Sequence, residues 1–325
     1  MKVLVTGRLP EEVMALIRKE HQVEAHEEDC PMPRETLMKK IGDKEGLLCM
    51  ITDLIDAGVL DKAPLLKMIA NYGVGYDNIA VDAATARGIP VSNTPGVLTE
   101  ATADLALSLI LATARRVVEG DKMTREGRFR FWAPFHFLGR DVTGKTLGII
   151  GLGRIGKAVA RRAKGFDMRL LYYNRRPVGK DEEHALGVEY TPLRTLISQS
   201  DFISLHVPLT KETHHLIGSE ELDLMKNSAY LINTARGPIV DEKALVEALK
   251  KRKIAGAGLD VYEHEPHITP GLAQLDNVVL LPHVGSATME TRTRMAQLSA
   301  ENLLAGMRGE IPPNCVNGGS LPRPR

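Results

Sequence analysis

A chain of 325 residues is longer than one hydrophobic core usually serves, so two domains are expected. Hydrophobic residues at 43% and charged residues at 26% are ordinary for a globular protein and exclude a disordered or fibrous chain. Lys plus Arg number 42 against 41 for Asp plus Glu, a formal charge of +1 with no basic or acidic tail, which argues against a nucleic-acid partner.

The chain opens on a short apolar run, residues 1–7, that is too brief for a signal sequence and reads as a first strand. A helical period follows through Val13, Leu16 and Ile17, then strands over 46–51 and 66–70, a parallel α/β pattern. Cys30 and Cys49 in this stretch, with Cys315, are odd in number and far apart. They lack the spacing of a disulfide framework or a metal site, so a reducing cytoplasm and no metal are expected. A short strand over 90–93 ends in Thr94-Pro95-Gly96, a natural crossing between domains, and a helix runs from 99 to 116. Polar residues interrupt even the 105–118 run, so no segment reaches the roughly 18–20 apolar residues that span a bilayer, and no membrane partner is expected. After an aromatic connector over 129–134, a second α/β series is predicted, with strands at 145–150, 169–173, 202–205, 229–233, 256–260 and 278–281. The last helix, 289–308, comes too late to belong to that series alone and is expected to return to the first domain. The expected fold is α/β: two Rossmann-like, doubly wound parallel-sheet domains with a cleft at their junction. Residues 1–96 and 289–325 form a discontinuous substrate domain and 97–288 a dinucleotide-binding domain.

Gly151-Leu152-Gly153-Arg154-Ile155-Gly156 follows a strand and opens a helix. The first glycine permits the turn, the second admits a pyrophosphate to the backbone, and the third allows close helix–strand packing. The helix N-terminus offers free amides to phosphate. A tight βα turn alone would also use glycines, but the strand–turn–helix setting points to a dinucleotide. An NAD-preferring site places a carboxylate about 20 residues on. Here the strand ends in Asn174-Arg175-Arg176-Pro177, and guanidinium groups match the extra phosphate of NADPH. NADP(H) is therefore preferred, with NAD(H) left open, since an arginine pair is also a common solvated turn.

Three later strands end in Asn233-Thr234-Ala235-Arg236-Gly237, in Asp260-Val261-Tyr262-Glu263-His264-Glu265-Pro266 and in Pro282-His283-Val284-Gly285-Ser286. Reducing a 2-keto acid by hydride transfer needs a proton donor and a cation for the carboxylate. His283 suits the first role, Glu265 can hold its far ring nitrogen, and Arg236 can bind the substrate through its planar fork. Singly these residues have ordinary uses too: Arg236 as a helix cap, Glu265 as a surface acid, His283 as a satisfied buried histidine. His206 and the pair His214-His215 show how weak a lone histidine is as a sign.

With these motifs the chain closely resembles the D-isomer-specific 2-hydroxyacid dehydrogenases, in particular the glyoxylate/hydroxypyruvate reductase branch. The likeness rests also on 71–79 (Asn-Tyr-Gly-Val-Gly-Tyr-Asp-Asn-Ile), on 144–150 before the glycine turn, and on 205–210 (Leu-His-Val-Pro-Leu-Thr). It implies that Arg236, Glu265 and His283 are catalytic and that the Val74 and Gly75 amides bind the substrate carboxylate beside Arg236. It implies cofactor contacts from the glycine turn, Asn174, Arg175, Arg176, Val207, Pro208, Thr234, Ala235, Arg236, Asp260, His283 and Gly285. It also implies a homodimer, with an arm over about 99–140 carrying Trp132 to the partner's substrate pocket, although ordinary aromatic packing would serve Trp132 as well. Asp260 has a plain strand-end use too. Ala80 stands where many relatives have Asp, which leaves the cap of the next helix open. No C-terminal regulatory domain and no long N-terminal extension are expected. The implied activity is reduction of glyoxylate or hydroxypyruvate. The alternatives are another 2-keto acid or phosphite, and, in a different class, an NAD(H)-sensing corepressor-like binding protein.

Overall fold

In the computed structural model, which describes residues 1–321, strands and helices alternate and the chain divides into two units. One comprises 1–98 with the stretch from Ser286 onward, the other Thr99–Gly285. In the first unit the order is β1 (Lys2–Val5), α1 (Glu11–Glu20), β2 (Gln22–Ala25), α2 (Arg34–Lys40), β3 (Gly46–Met50), α3 (Ala57–Asp61), β4 (Met68–Tyr72), α4 (Val81–Ala86) and β5 (Val91–Ser92). All strand pairs are parallel, in the order β2-β1-β3-β4-β5. Side chains alternate across the sheet, so Leu4, Leu47 and Ile69 enter one buried layer and Val3, Val5, Leu48 and Ala70 the other.

The second unit runs α5 (Thr99–Ala114), α6 (Val117–Arg125), β6 (Thr146–Ile150), α7 (Arg154–Ala163), β7 (Arg169–Tyr173), α8 (Lys180–Leu186) and β8 (Val188–Tyr190). It continues α9 (Leu193–Gln199), β9 (Phe202–Leu205), α10 (Ser219–Leu224), β10 (Tyr230–Asn233), α11 (Glu242–Lys250), β11 (Gly256–Leu259) and β12 (Val278–Leu280). Its parallel sheet has the order β12-β11-β10-β9-β6-β7-β8. Leu147, Ile149, Leu170, Tyr172 and Ile232 face α5 and α7, and Ile150, Leu171, Ile203 and Leu231 face the opposite layer. The last helix, α12 (Met289–Met307), belongs to the first unit, where Ala296, Ala300, Leu303 and Met307 pack with Val13 and Ile17 of α1.

Three features depart from the sequence expectations. The helix predicted over 99–116 breaks at Arg116, which adopts φ +56°, and α6 then starts afresh. The Arg116 guanidinium bonds Glu119 at 2.5 and 2.9 Å and lies 4.1 Å over the Phe137 ring, contacts that compensate a conformation unfavourable for a side chain. The strand predicted at 66–70 is displaced to Met68–Tyr72 by pairing with β3, while Leu66 caps the core beside it. The edge strands β2 and β8 carry polar residues and no apolar run, so periodicity does not find them. Ala80 is the N-cap of α4 and, being alanine, supplies no side-chain cap.

Candidate active site

In the second unit the chain runs outward from β6 to β7 and β8, then returns to place β9 on the other side of β6. Ligands of open α/β sheets bind at the carboxyl ends of strands where the order reverses in this way. Every second-unit residue singled out above except Trp132 follows such an end: 151–156 after β6, 174–176 after β7, 207–208 after β9, 234–236 after β10, Asp260 and Glu265 after β11, His283 and Gly285 after β12.

The three glycines of the turn differ in what requires them. Gly151 sits at φ +100°, and a Cβ there would fall 2.6 Å from the His206 carbonyl. A Cβ on Gly156 would fall 2.1 Å from the Gly151 oxygen, so close packing of α7 on β6 demands a glycine. Gly153 caps α7 at φ −82°, where any residue fits, and a Cβ there would meet nothing within 4 Å. No protein atom explains that glycine. The open space before the N-terminus of α7 fits a pyrophosphate, which free amides and the helix dipole would hold.

Asn174 accepts a hydrogen bond from the Leu152 amide (2.7 Å), which ties the glycine turn to the end of β7. Arg175 and Arg176 are exposed, and neither forms a hydrogen bond or ion pair among the described residues. The Thr210 hydroxyl holds the Glu212 carboxyl below its usual range, with a further contribution from the Arg175 charge, so one acidic group shares the field of this turn. His206 is spoken for: its Nε2 lies 2.8 Å from Ser204 Oγ, and burial pushes its pKa down to about 4, so it is a neutral imidazole at physiological pH. Val207 packs on the sheet core and the Pro208 carbonyl accepts from Thr213 (2.7 Å).

Asn233, buried at the end of β10, shapes the next loop. Its Nδ2 donates to the Arg236 carbonyl (2.9 Å) and its Oδ1 accepts from the Ala235 amide (3.0 Å). Thr234 is buried there and its hydroxyl has no hydrogen-bond partner among the described residues. The Arg236 guanidinium donates to the Ala235 carbonyl (2.9 Å), and its charge reaches Glu265. Gly237 lets this loop meet the following one, since a Cβ on it would fall 1.8 Å from the Tyr262 carbonyl carbon.

Glu265 bonds in two directions. Its Oε1 accepts from the Tyr262 amide (2.9 Å) and its Oε2 lies 2.8 Å from Nδ1 of His283. Burial pushes the Glu265 carboxyl up, but the His283 hydrogen bond and charge, the Tyr262 amide and Arg236 outweigh it and hold the group below the usual range. His283 adopts φ +54°, a conformation that costs a non-glycine residue of order 1 kcal/mol or more. Asp260 enforces it: its two carboxylate oxygens accept from the amides of Val284 and Gly285, each at 2.7 Å. Burial raises the Asp260 carboxyl above its usual range, partly countered by those amides and by His283. With Nδ1 engaged by Glu265, His283 presents Nε2 as the nitrogen able to exchange a proton with a ligand.

In the first unit, Val74 and Gly75 follow β4. Asn93 donates to the Val74 carbonyl (2.8 Å) and Asn71 to the Gly75 carbonyl (2.7 Å), while the amides of both residues donate to no acceptor among the described residues. That leaves two fixed N–H groups for an anion. Trp132 lies in the irregular stretch after α6 and is 79% exposed, beside Phe131 and Phe135.

Sequence reasoning missed how the loops are locked. Glu263 bonds Nε2 of His215 (2.8 Å) and exchanges backbone amides with Glu242: the Glu263 amide donates to Glu242 (2.8 Å) and the Glu242 amide to Glu263 (3.3 Å). The only sequence sign was the glycine after Arg236, which demands close approach of another backbone.

The chain is similar to known proteins in sequence and in fold. Residues 107–285 match the family described as D-isomer specific 2-hydroxyacid dehydrogenase, NAD binding domain. A glyoxylate reductase of Korarchaeum cryptofilum is 54% identical over 321 residues, 97% of this chain and 96% of that protein. The crystal structure of a protein from Thermus thermophilus superposes with a TM-score of 0.91 at 48% identity, over 97% of this chain and 100% of that one. An NADPH-dependent glyoxylate/hydroxypyruvate reductase of Sinorhizobium meliloti, solved with NADP and malonate, superposes with a TM-score of 0.89 at 35% identity, over 100% and 99%.

Proposed function

Because the chain belongs to the D-isomer-specific 2-hydroxyacid dehydrogenases, we propose that it reduces glyoxylate, and with it hydroxypyruvate, to the 2-hydroxy acid, with NADPH preferred over NADH. The observation that carries this reading is the His283–Glu265 pair at 2.8 Å, locked by Asp260 through the next two amides. The glycine turn and the N-terminus of α7 hold the pyrophosphate, and Arg175 and Arg176 take the additional phosphate of NADPH. The bound nicotinamide supplies the hydride. Arg236 binds the substrate carboxylate through charge-assisted hydrogen bonds and sets the carbonyl in place. The Val74 and Gly75 amides, which donate to no acceptor among the described residues, are further donors for a carboxylate. His283 donates a proton from Nε2 to the carbonyl oxygen as the alcohol forms, and Glu265, bonded to Nδ1, fixes the orientation of the ring.

Thr234, Ala235, Val207, Pro208 and Gly285 line the nicotinamide end of this reading. The exposed Phe131, Trp132 and Phe135 support a homodimer built through the arm, with Trp132 covered by the partner. Three unpaired cysteines suit a cytoplasmic enzyme, and among the described residues no helix is long and apolar enough to cross a membrane. The test is loss of NADPH absorbance across a panel of 2-keto acids. Multiple turnovers with glyoxylate and hydroxypyruvate, and a higher kcat/KM for these than for bulkier acids, are expected. Cofactor binding without turnover on any acid overturns the reading.

A further inference from the structure

A cluster of metal-binding side chains lies in the first unit, on the loop that leaves β2. Its two ends are fixed: the His26 amide donates to the Val5 carbonyl (2.9 Å), continuing the ladder beyond β2, and Met32 is buried in the core. Between them, alternate residues turn to opposite sides. Glu27 and Asp29 reach Arg18 and Arg8, at 3.5 and 3.3 Å. His26, Glu28 and Cys30 turn toward one another, with Cys30 Sγ 3.7 Å from His26 Nε2 and 3.5 Å from Glu28 Oε2, and all three donor atoms lie within 4.8 Å.

These separations have a definite chemical meaning. A tetrahedral zinc ion with bonds of about 2.3 Å to sulfur and about 2.0–2.2 Å to nitrogen or oxygen sets its sulfur–nitrogen and sulfur–oxygen edges at about 3.5 Å. Two edges of that tetrahedron already exist in the protein. We propose that His26, Glu28 and Cys30 form a surface site for one divalent ion of the zinc class, with solvent in the fourth position. A thiolate with an imidazole selects such an ion over magnesium or calcium, which take oxygen ligands. On binding, the thiol proton leaves to solvent, and His26 Nε2 exchanges its present contact with the Cys30 carbonyl (3.0 Å) for the metal. The expectation of no metal looked for paired cysteines, and a mixed ligand set escapes that search. The site shares no residue with the dinucleotide set, and its test does not depend on the reductase reading.

The experiment uses the full-length, tag-free protein, stripped with chelator, reduced and titrated with Co(II), then with Zn(II) against a metal-sensitive dye. One Co(II) per chain with a thiolate-to-cobalt charge-transfer band is expected, displaced by Zn(II) and unaffected by Mg(II). Cys30→Ser abolishes the band. His26→Ala and Glu28→Gln each weaken Zn(II) binding by about tenfold or more, the least that even outer partners of a metal contribute. Cys315→Ser changes neither. Circular dichroism and the thermal midpoint of each metal-free variant establish that it is folded. No thiolate band, a band that survives Cys30→Ser, or Zn(II) affinity unchanged in both His26→Ala and Glu28→Gln overturns the site.

Discussion

Replacing Gly153 by alanine separates a glycine kept for a ligand from those kept for the fold. Its backbone, at φ −82° and ψ −161°, admits any residue, and the new methyl would touch no protein atom within 4 Å. Alanine is a poorer N-cap than glycine by roughly 1 kcal/mol or less. It also loses less chain entropy on folding, a gain of about 0.4–1 kcal/mol. The two nearly cancel, so the stability of the cofactor-free protein should change by less than about 1 kcal/mol. The methyl would stand in the open space proposed for the pyrophosphate at the N-terminus of α7. Each charge-assisted hydrogen bond lost there weakens binding by about 1.5–3 kcal/mol, roughly ten- to hundredfold in the KM for NADPH. Gly156→Ala is the control. Its Cβ would lie 2.1 Å from the Gly151 oxygen, and overpacking of that kind costs about 1–3 kcal/mol of stability before any ligand is present. Urea unfolding of the cofactor-free proteins, with KM for NADPH measured in parallel, gives both numbers. A Gly153→Ala protein that binds NADPH like the wild type refutes the reasoning, and so does one that loses as much stability as Gly156→Ala.

His283→Ala should lower kcat by about 10²- to 10⁴-fold, the usual worth of a positioned acid, with cofactor Kd nearly unchanged; equal kcat in single-turnover reduction contradicts the role. The Glu265 carboxyl is held below its ordinary 4.5, so its pairing with His283 is complete above that value and lost only as pH falls through the lower native one. Glu265→Gln should therefore cut kcat throughout the neutral range, and a variant that differs from wild type only below pH 4.5 contradicts the pairing. Asp260→Asn leaves one of the two amides at 284 and 285 facing an NH2 group; it should cost about 1–3 kcal/mol in urea unfolding and lower kcat as His283 relaxes from φ +54°, and unchanged values of both count against the clamp. The double variant Arg175→Ala, Arg176→Ala should raise the KM for NADPH about tenfold or more while leaving that for NADH nearly alone, an effect that shrinks with added salt. Equal loss for both cofactors makes the pair a solvated turn.

The family resemblance and the local chemistry of the chain were legible without coordinates. Apolar runs of the right length placed the buried strands, because a strand covered on both faces must be apolar throughout. The glycine turn announced itself because its backbone tolerates no other residue at 151 and 156, and the order cation, acid, imidazole at three strand ends marked Arg236, Glu265 and His283. What periodicity misses is whatever depends on a partner distant in sequence. The edge strands β2 and β8 exist through pairing with β1 and β7, and their three or four residues mix polar and apolar types with no apolar run. The break at Arg116 depends on Phe137, 21 residues on, and the pull of β3 moves the strand at Met68. The same holds at the site. Sequence put Asp260 at a strand end, but only the fold brings its two oxygens to the amides of Val284 and Gly285, and only the fold joins Glu263 to His215 and Glu242. Residue types declare which chemistry a loop can carry; the strand order, through long-range hydrogen bonds, decides which groups meet and in what orientation.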